Sequence, residues 1–266
     1  MKLLILILVV LLLGALLFPR SIPRFLRALG RAVGGAGRAG REIASGEEVS
    51  GSPLARYEAR AGQILEMRVL AEHPAAAAPA LQARAKEIGA RLARHARRRE
   101  IPYRFTVVHG EEPNAFAIAG GAVLVTDAML ELCGSDDHRL AGVLAHELSH
   151  IDHRHALRNL AAGAAVRSGL RVLSFGRGAI LSRVVGGMET LLSQGYRQDQ
   201  EFEADLTGSR LAARAGFRAD GLARLLADLA TRAPDGEGPL AEVLSYFNSH
   251  PPVGARIERL RGVRAT

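Results

Sequence analysis

The stretch His146-Glu147-Leu148-Ser149-His150 lies inside a long apolar pattern of helical period and reads H-E-x-x-H. Residues four apart on a helix share one face and are separated by about one 5.4 Å turn. His146 and His150 can therefore bind one zinc ion together, and Glu147 can take a proton from a water at that ion. The pattern predicts a zinc-dependent hydrolase, with a peptidase as the leading interpretation. The alternative is a buried polar turn whose histidines are satisfied by hydrogen bonds.

A catalytic zinc ion needs a third protein ligand and one open position. The metzincin pattern would require glycine at position 153 and histidine at position 156, but the chain has His153 and Ala156, which excludes that class. The remaining candidate for the third ligand is a carboxylate from a later helix. Glu201 and Asp205 are four apart, so one helix face can present a zinc ligand and a carboxylate that fixes a histidine tautomer. The alternative for this acidic cluster is a solvated helix start, which fits Glu203 best.

The composition favours a mostly helical, α+β chain. Of 266 residues 48% are hydrophobic and only 5% are aromatic, and Ala, Leu and Arg dominate. The single cysteine, Cys133, excludes an internal disulfide and is too few for a thiolate zinc site, so we interpret it as a small core residue near a helix end. We expect one catalytic domain over residues 53–266, with an appendage before it.

The order of predicted elements places a small β-sheet just upstream of the H-E-x-x-H helix. Helices are predicted at residues 53–72, 79–99, 129–133, 136–160 and 197–215, and short ones after that. The predicted strands cover residues 102–108, 114–118 and 122–126, the last two joined by a turn at Gly120-Gly121. Residues 161–195 are interpreted as a mobile helical hairpin, and Arg97–Arg99 as a solvated face.

The N-terminal twenty residues are interpreted as a membrane anchor or a signal sequence. Leu3–Phe18 is an uninterrupted apolar run, about 24 Å long as a helix, slightly short of a ~30 Å hydrocarbon core. No convincing cleavage site follows, which favours an uncleaved single-pass anchor. Residues 21–52 are interpreted as a basic juxtamembrane linker that contacts anionic lipid.

The membrane face and the binding partners are less constrained by the sequence. The positive-inside rule places the catalytic domain in the cytoplasm, whereas a leader-like N-terminus favours export to the periplasm of a bacterial-type cell envelope. The net charge of +8 could suggest nucleic acid, but no aromatic-interleaved basic stripe accompanies it, so we expect no nucleic-acid partner.

Four separated motifs resemble those of the HtpX and CAAX prenyl endopeptidase family of gluzincin zinc metallopeptidases, in the same order over about residues 55–262. The motifs are His146–His150 with Arg154-His155, Glu201 with Ala204-Asp205, Ser249-His250-Pro251 with Arg256-Ile257, and Asn114–Ala117 followed by Gly120-Gly121 and Val123–Val125. The resemblance implies a zincin-like helical domain, metalloendopeptidase activity and one Zn²⁺ per chain.

The resemblance also implies roles for individual residues. His146, His150 and Glu201 would be the zinc ligands, with Glu147 as the general base. His250 would lie near the open zinc position, where it either stabilises the oxyanion or occupies the fourth coordination site in a resting state. The alternative for His250 is a loop histidine before a Pro-Pro turn.

Other site residues would act around these ligands. Arg256 would pair with a carboxylate such as Asp205. His153 and His155 do not share the face of the two ligand histidines, so they are interpreted as helix-surface residues or as residues behind the ligands. An extended substrate would pair with an edge strand by strand addition. The residues of that strand are Asn114, Ala115, Phe116 and Ala117.

Two departures from the family pattern narrow the expected function. Ala119 stands where the family commonly has proline before the glycine pair, and the multi-span architecture of the HtpX and prenyl-protease branches is missing. The chain therefore resembles a single-anchor or exported branch, without prenyl-protein processing. We expect unfolded or envelope protein substrates and a role in quality control. The alternative is a membrane-anchored, zinc-binding, chaperone-like module that does not cleave.

Overall fold

The computed structural model describes residues 53–159, 185–188, 190, 195–232 and 253–260. In this part of the chain the helices are α1 (Pro53–Glu72), α2 (Pro79–Ala93), α3 (Asp127–Cys133), α4 (Asp137–Asp152), α5 (Gln198–Arg214), α6 (Gly221–Arg232) and α7 (Val253–Leu260). The strands are β1 (Arg104–Val108), β2 (Ala115–Ile118) and β3 (Ala122–Thr126). The predicted mostly helical α+β class with a small sheet before the motif helix is confirmed.

Several sequence-based predictions lie outside the described residues. These are the N-terminal hydrophobic helix, the basic linker and most of the predicted hairpin at residues 161–195. Within the ranges that are described, no helix combines the length and apolar character that a membrane crossing needs.

The helices around the motif begin and end with the capping residues that their sequence supplies. The Thr126 side chain accepts a hydrogen bond from the Met129 backbone at the start of α3, and Gly134 ends that helix at a φ of 59°. Asp136 caps α4 by accepting from the His138 backbone N–H. Such caps satisfy backbone donors that a helix start leaves without an internal partner, so both helix starts are fixed locally.

The sheet is mixed, in the order β1-β3-β2. Strand β3 pairs in parallel with β1 and antiparallel with β2, with Val123 opposite both Phe105 and Ala117. Gly120 and Gly121, at φ values of 86° and 105°, form the tight turn between β2 and β3. Because β3 is the central strand, β2 lies at one edge of the described sheet.

Both faces of the sheet are covered, and its side chains alternate between two hydrophobic clusters. Val123 and Val125 pack with α2, α4, α5 and α6, whereas Leu124 faces the cluster that includes Leu65 of α1. This alternation follows from the period of two along a strand. Helix α4 is buried continuously from Leu140 to Asp152, so the H-E-x-x-H sequence lies in the interior of the described fold.

Helix α2 ends at Ala93, earlier than the predicted end at residue 99. The backbone N–H groups of Arg97 and Arg98 instead donate to the carboxylate of Asp152. The interpretation of Arg97–Arg99 as a solvated face is wrong for Arg98, which is 5% exposed and forms two hydrogen bonds with Glu58. A carboxylate on another helix thus competes successfully with continuation of α2.

The motif helix also ends before the predicted position near residue 160. It stops at Asp152, His153 caps it, and Arg154 adopts a φ of 53°, after which residues 155–159 are helical again. Non-glycine residues rarely adopt positive φ, so the helix ends at a specific backbone conformation of Arg154 and does not simply fray. It turns the chain so that His155 contacts His150, a contact that a straight helix would not allow.

Candidate metal centre

His146 and His150 lie one turn apart on α4, and Glu201 enters from the first turn of α5. The Nε2 atoms of the two histidines are 3.1 Å apart, and carboxylate oxygens of Glu201 lie 3.3 Å from His146 Nε2 and 3.6 Å from His150 Nε2. All three side chains are buried. The structure therefore brings together the three residues that the sequence analysis assigned as ligands; their binding of a metal stays a prediction.

The donor set fits a zinc ion. Two atoms that each lie about 2.1 Å from a tetrahedral zinc are about 3.4 Å apart, close to the separations among these three residues. Two imidazole nitrogens and one carboxylate oxygen are also the ligand types of catalytic zinc sites that keep one position open. The residues present can hold the ion without a large rearrangement.

Asp205 and Arg256 fix the orientation of His146 through its Nδ1 atom, on the side of the ring away from the candidate metal position. His146 Nδ1 lies 2.9 Å from Asp205, and the Arg256 guanidinium donates two hydrogen bonds of 2.9 and 2.6 Å to the same carboxylate. Burial alone would raise the pKa of Asp205, but Arg256 and His146 lower it to about 2. The ionised Asp205 therefore accepts the Nδ1 proton, which leaves His146 Nε2 directed at the metal position.

Burial lowers the pKa of His146, but its hydrogen bonds to Asp205 and Glu201 outweigh that effect and raise the pKa to about 9. This value belongs to the metal-free chain. A divalent ion would replace the proton on Nε2, since metal ligands must be deprotonated.

The other candidate ligand, His150, is held in place by His155 and Glu203. His155 Nδ1 lies 2.8 Å from His150 Nδ1, and His155 Nε2 lies 3.1 Å from Glu203. Glu203 also contacts His153 and accepts from Arg158. The interpretation of Glu203 as only a solvated helix-start residue is therefore wrong, although its side chain remains 39% exposed.

Tyr196 also lies against the candidate ligands, and the sequence analysis did not identify it. Its ring stacks on His150 with 4.0 Å between centroids and 16° between planes. Burial raises the Tyr196 pKa, and the negative charges of Glu147 and Glu201 raise it further, so the phenol stays neutral. The available signal was its place two residues before α5, the helix that carries Glu201.

A buried polar network fixes the C-terminal end of α4. Asp152 accepts hydrogen bonds from the Arg97 and Arg98 backbones and from the Tyr103 hydroxyl. Arg98 also donates to the Ile151 carbonyl. Because α4 carries both histidines, these contacts hold the metal position relative to the rest of the described fold.

The remaining candidate residues are placed as follows. Asn114 precedes β2, and Ala115, Phe116 and Ala117 belong to it, at the edge of the described sheet. Ala117 and His150 line the same small cavity, so this strand passes beside the candidate ligands. His250 lies outside the described residues. Cys133 is buried in the main hydrophobic cluster at the end of α3.

Paired histidines on a buried helix, a carboxylate from a following helix and a glutamate next to the first histidine define a zinc-peptidase type of centre. Comparison with known proteins agrees with this class. Residues 79–264 match the family described as Peptidase family M48. The chain belongs to this family, and the resemblance noted in the sequence is confirmed.

Three relatives illustrate the similarity. The chain is 27% identical over 180 residues to the Beta-barrel assembly-enhancing protease of Escherichia coli (63% of this chain, 36% of that protein). It is 30% identical over 164 residues to the Metalloprotease YcaL of Escherichia coli (60% and 61%). It is 33% identical over 221 residues to a Protease HtpX homolog of Acidiphilium cryptum (70% and 76%). The chain thus spans about a third of the first of these proteins.

Proposed function

We propose that this protein is a zinc-dependent metalloendopeptidase that hydrolyses peptide bonds in unfolded proteins of the membrane or cell envelope. The observation that carries the proposal is the convergence of His146, His150 and Glu201 within 4.8 Å of one another, with Glu147 beside the first histidine. Family membership and the protease names of the relatives support it.

The residues of the chain supply most of the machinery that hydrolysis needs. His146, His150 and Glu201 would hold one Zn²⁺, which when bound acts as a Lewis acid and lowers the pKa of a bound water toward ~7. Glu147 accepts the proton of the attacking water and returns it to the leaving amine. Asp205 keeps the proton of His146 on Nδ1, and Tyr196 limits the rotation of the His150 ring.

Substrate recognition is proposed to use the edge strand β2. An extended peptide that adds to a sheet edge is bound mainly through its own main chain. The position of Ala117 and His150 on one cavity supports this proposal, because a peptide paired with β2 would pass close to the ligands. Such a site would accept many sequences, which suits the turnover of misfolded proteins.

The test is cleavage of unfolded casein by the purified full-length chain loaded with zinc. Glu147→Gln removes the general base but none of the three ligands, so activity should fall by at least about 100-fold while zinc content stays the same. Glu131→Gln, an exposed substitution on α3, serves as the control and should retain activity. Equal cleavage by Glu147→Gln and the unaltered chain would contradict the proposal and favour a binding module that does not cleave.

A further inference from the structure

A second group of potential metal ligands lies on the far side of His155 from the candidate catalytic centre. His153 Nδ1 is 3.3 Å from one carboxylate oxygen of Glu203, and His155 Nε2 is 3.1 Å from the other. The ligand atoms of all three residues lie within 4.8 Å of one another. None of them belongs to the set formed by His146, His150 and Glu201.

This cluster has the chemistry of a transition-metal site. Two imidazole nitrogens and a carboxylate oxygen are ligands that Zn²⁺ and Co²⁺ accept, and the two measured separations agree with the ~3.4 Å expected between ligands of a tetrahedral ion. His155 is fully buried and fixed in place, whereas His153 and Glu203 are 17% and 39% exposed. An ion can therefore reach the cluster from solvent.

We propose that His153, His155 and Glu203 form a second, weaker transition-metal site whose occupation lowers the affinity of the catalytic centre for its own ion. The weaker affinity follows from Arg158, whose guanidinium donates to Glu203 at 3.1 Å. A metal ion must therefore compete with this positive charge for the Glu203 carboxylate.

The coupling between the two sites follows from the two Nδ1 atoms that face each other at 2.8 Å. When His150 binds an ion through Nε2, its Nδ1 carries the proton and donates it to His155 Nδ1. When His155 binds an ion through Nε2, the proton lies on its own Nδ1 instead. With both ions bound, two N–H groups would face each other and the hydrogen bond would be lost. Each ion therefore weakens the binding of the other, by the same factor.

The first experiment counts metal ions and needs no substrate. The purified full-length chain is dialysed against increasing Zn²⁺ and its bound zinc is measured by elemental analysis. We expect two ions per chain, the second weaker than the first. His153→Ala removes a ligand of the second site and none of the three candidate ligands of the first, so it should retain the first ion and bind the second at least about tenfold more weakly.

Two further variants test whether the second ion is bound by this cluster. Glu203→Gln can still accept a hydrogen bond from His155 but loses the carboxylate, so it should also lose the second ion. His95→Gln removes a histidine outside both clusters and should still bind two ions. A single ion in the unaltered chain, or a second ion that persists in both His153→Ala and Glu203→Gln, would overturn the second site.

The coupling is measured by isotope exchange. The chain is loaded with one equivalent of isotopically labelled zinc, and an excess of unlabelled zinc is then added. The label should leave at least about tenfold faster from the unaltered chain than from His153→Ala, because the second ion weakens the first. Equal rates would overturn the coupling. If the chain binds two ions but cleaves no casein, the second site is supported and only the proposed function is contradicted.

Discussion

Asp205 is the residue through which the candidate ligand His146 is connected to the charge of Arg256. Its pKa of about 2, held low against burial by Arg256 and His146, lies below the usual value near 3.9. The stabilisation from ionised Asp205 is therefore complete above about pH 4, and it is lost as the pH falls toward 2. At neutral pH the carboxylate is always available to accept the His146 proton.

We expect Asp205→Asn to lower the zinc affinity of the catalytic centre by about 10- to 100-fold, the usual effect of removing a partner of a ligand histidine. The amide is neutral, so it attracts the Nδ1 proton less and leaves Arg256 without its counter-charge. Competition with a chromophoric chelator measures the change. Asp199→Asn, at an exposed position on the same helix, is the matched control. Unchanged affinity in Asp205→Asn would refute this role.

Cys133 illustrates how burial can dominate the reactivity of a side chain. It is 1% exposed, and burial raises the pKa of its thiol to about 12. Since the thiolate is the reactive form, we expect alkylation by iodoacetamide at pH 8 to be at least about 100-fold slower in the folded chain than in denaturant. Mass spectrometry of the single adduct measures both rates. Comparable rates would show that Cys133 is accessible and not a core residue.

At the residue scale, sequence spacing identified the side chains that the structure brings together. Histidines four apart on a helix must share a face, and this constraint is local. The contact between His155 and His150 depends instead on the positive φ of Arg154, which no spacing rule indicates. Tyr196 was missed for a similar reason, because its stacking on His150 joins two segments that are distant in sequence.

At the scale of elements, the metal centre depends on how closely α5 approaches α4. A Cβ atom built on Gly208 would lie 2.9 Å from the His146 backbone nitrogen and 3.0 Å from the Ala145 carbonyl oxygen. These are backbone atoms of a buried helix and cannot move aside independently. Glycine at this position therefore allows Glu201, on the same helix as Gly208, to reach the two histidines.

We expect Gly208→Ala to destabilise the protein by about 1–3 kcal/mol, because the added methyl group separates α4 from α5. Zinc affinity should fall together with the stability, because Glu201 moves away from the two histidines. Gly254→Ala is the control, since its Cβ would meet no atom within 4 Å and alanine favours a helix by up to about 1 kcal/mol. Thermal unfolding and chelator competition measure both effects. A Gly208→Ala chain as stable as the unaltered one would contradict the close-packing argument.

Element predictions were accurate where the determining signals were local. The Gly120-Gly121 pair and Gly134 are such signals, and the structure has the β2–β3 turn and the end of α3 at these positions. The ends of α2 and α4 were predicted too late. Both are set by tertiary contacts, of which the buried pairing of Arg98 with Glu58 is the strongest example.

At the scale of the whole molecule, the described fold has one hydrophobic cluster on each face of a small sheet. Helices α4 and α5 carry the candidate site. The parallel β1–β3 pair lies between α1 on one face and the motif helix on the other. The sequence predicted the order of these elements but not the parallel pairing, because strand order depends on contacts between distant segments.

The apolar run Leu3–Phe18 is predicted to anchor the protein in a membrane. We expect the full-length chain to remain in the membrane pellet after alkaline carbonate extraction. Arginine near the middle of a membrane helix costs about 2.5–3.5 kcal/mol per residue. The double substitution Leu8→Arg and Leu12→Arg should therefore release most of the protein into the supernatant.

The matched control for this extraction is Met67→Arg, which adds the same charge at a position that is 70% exposed on α1. It should stay in the pellet with the unaltered chain, because it leaves the sequence of the apolar run unchanged. Immunoblotting of both fractions measures the distribution. If the unaltered chain were extracted as readily as the double variant, the anchor prediction would fail, and N-terminal sequencing of the extracted protein would show whether the run had been cleaved as a signal.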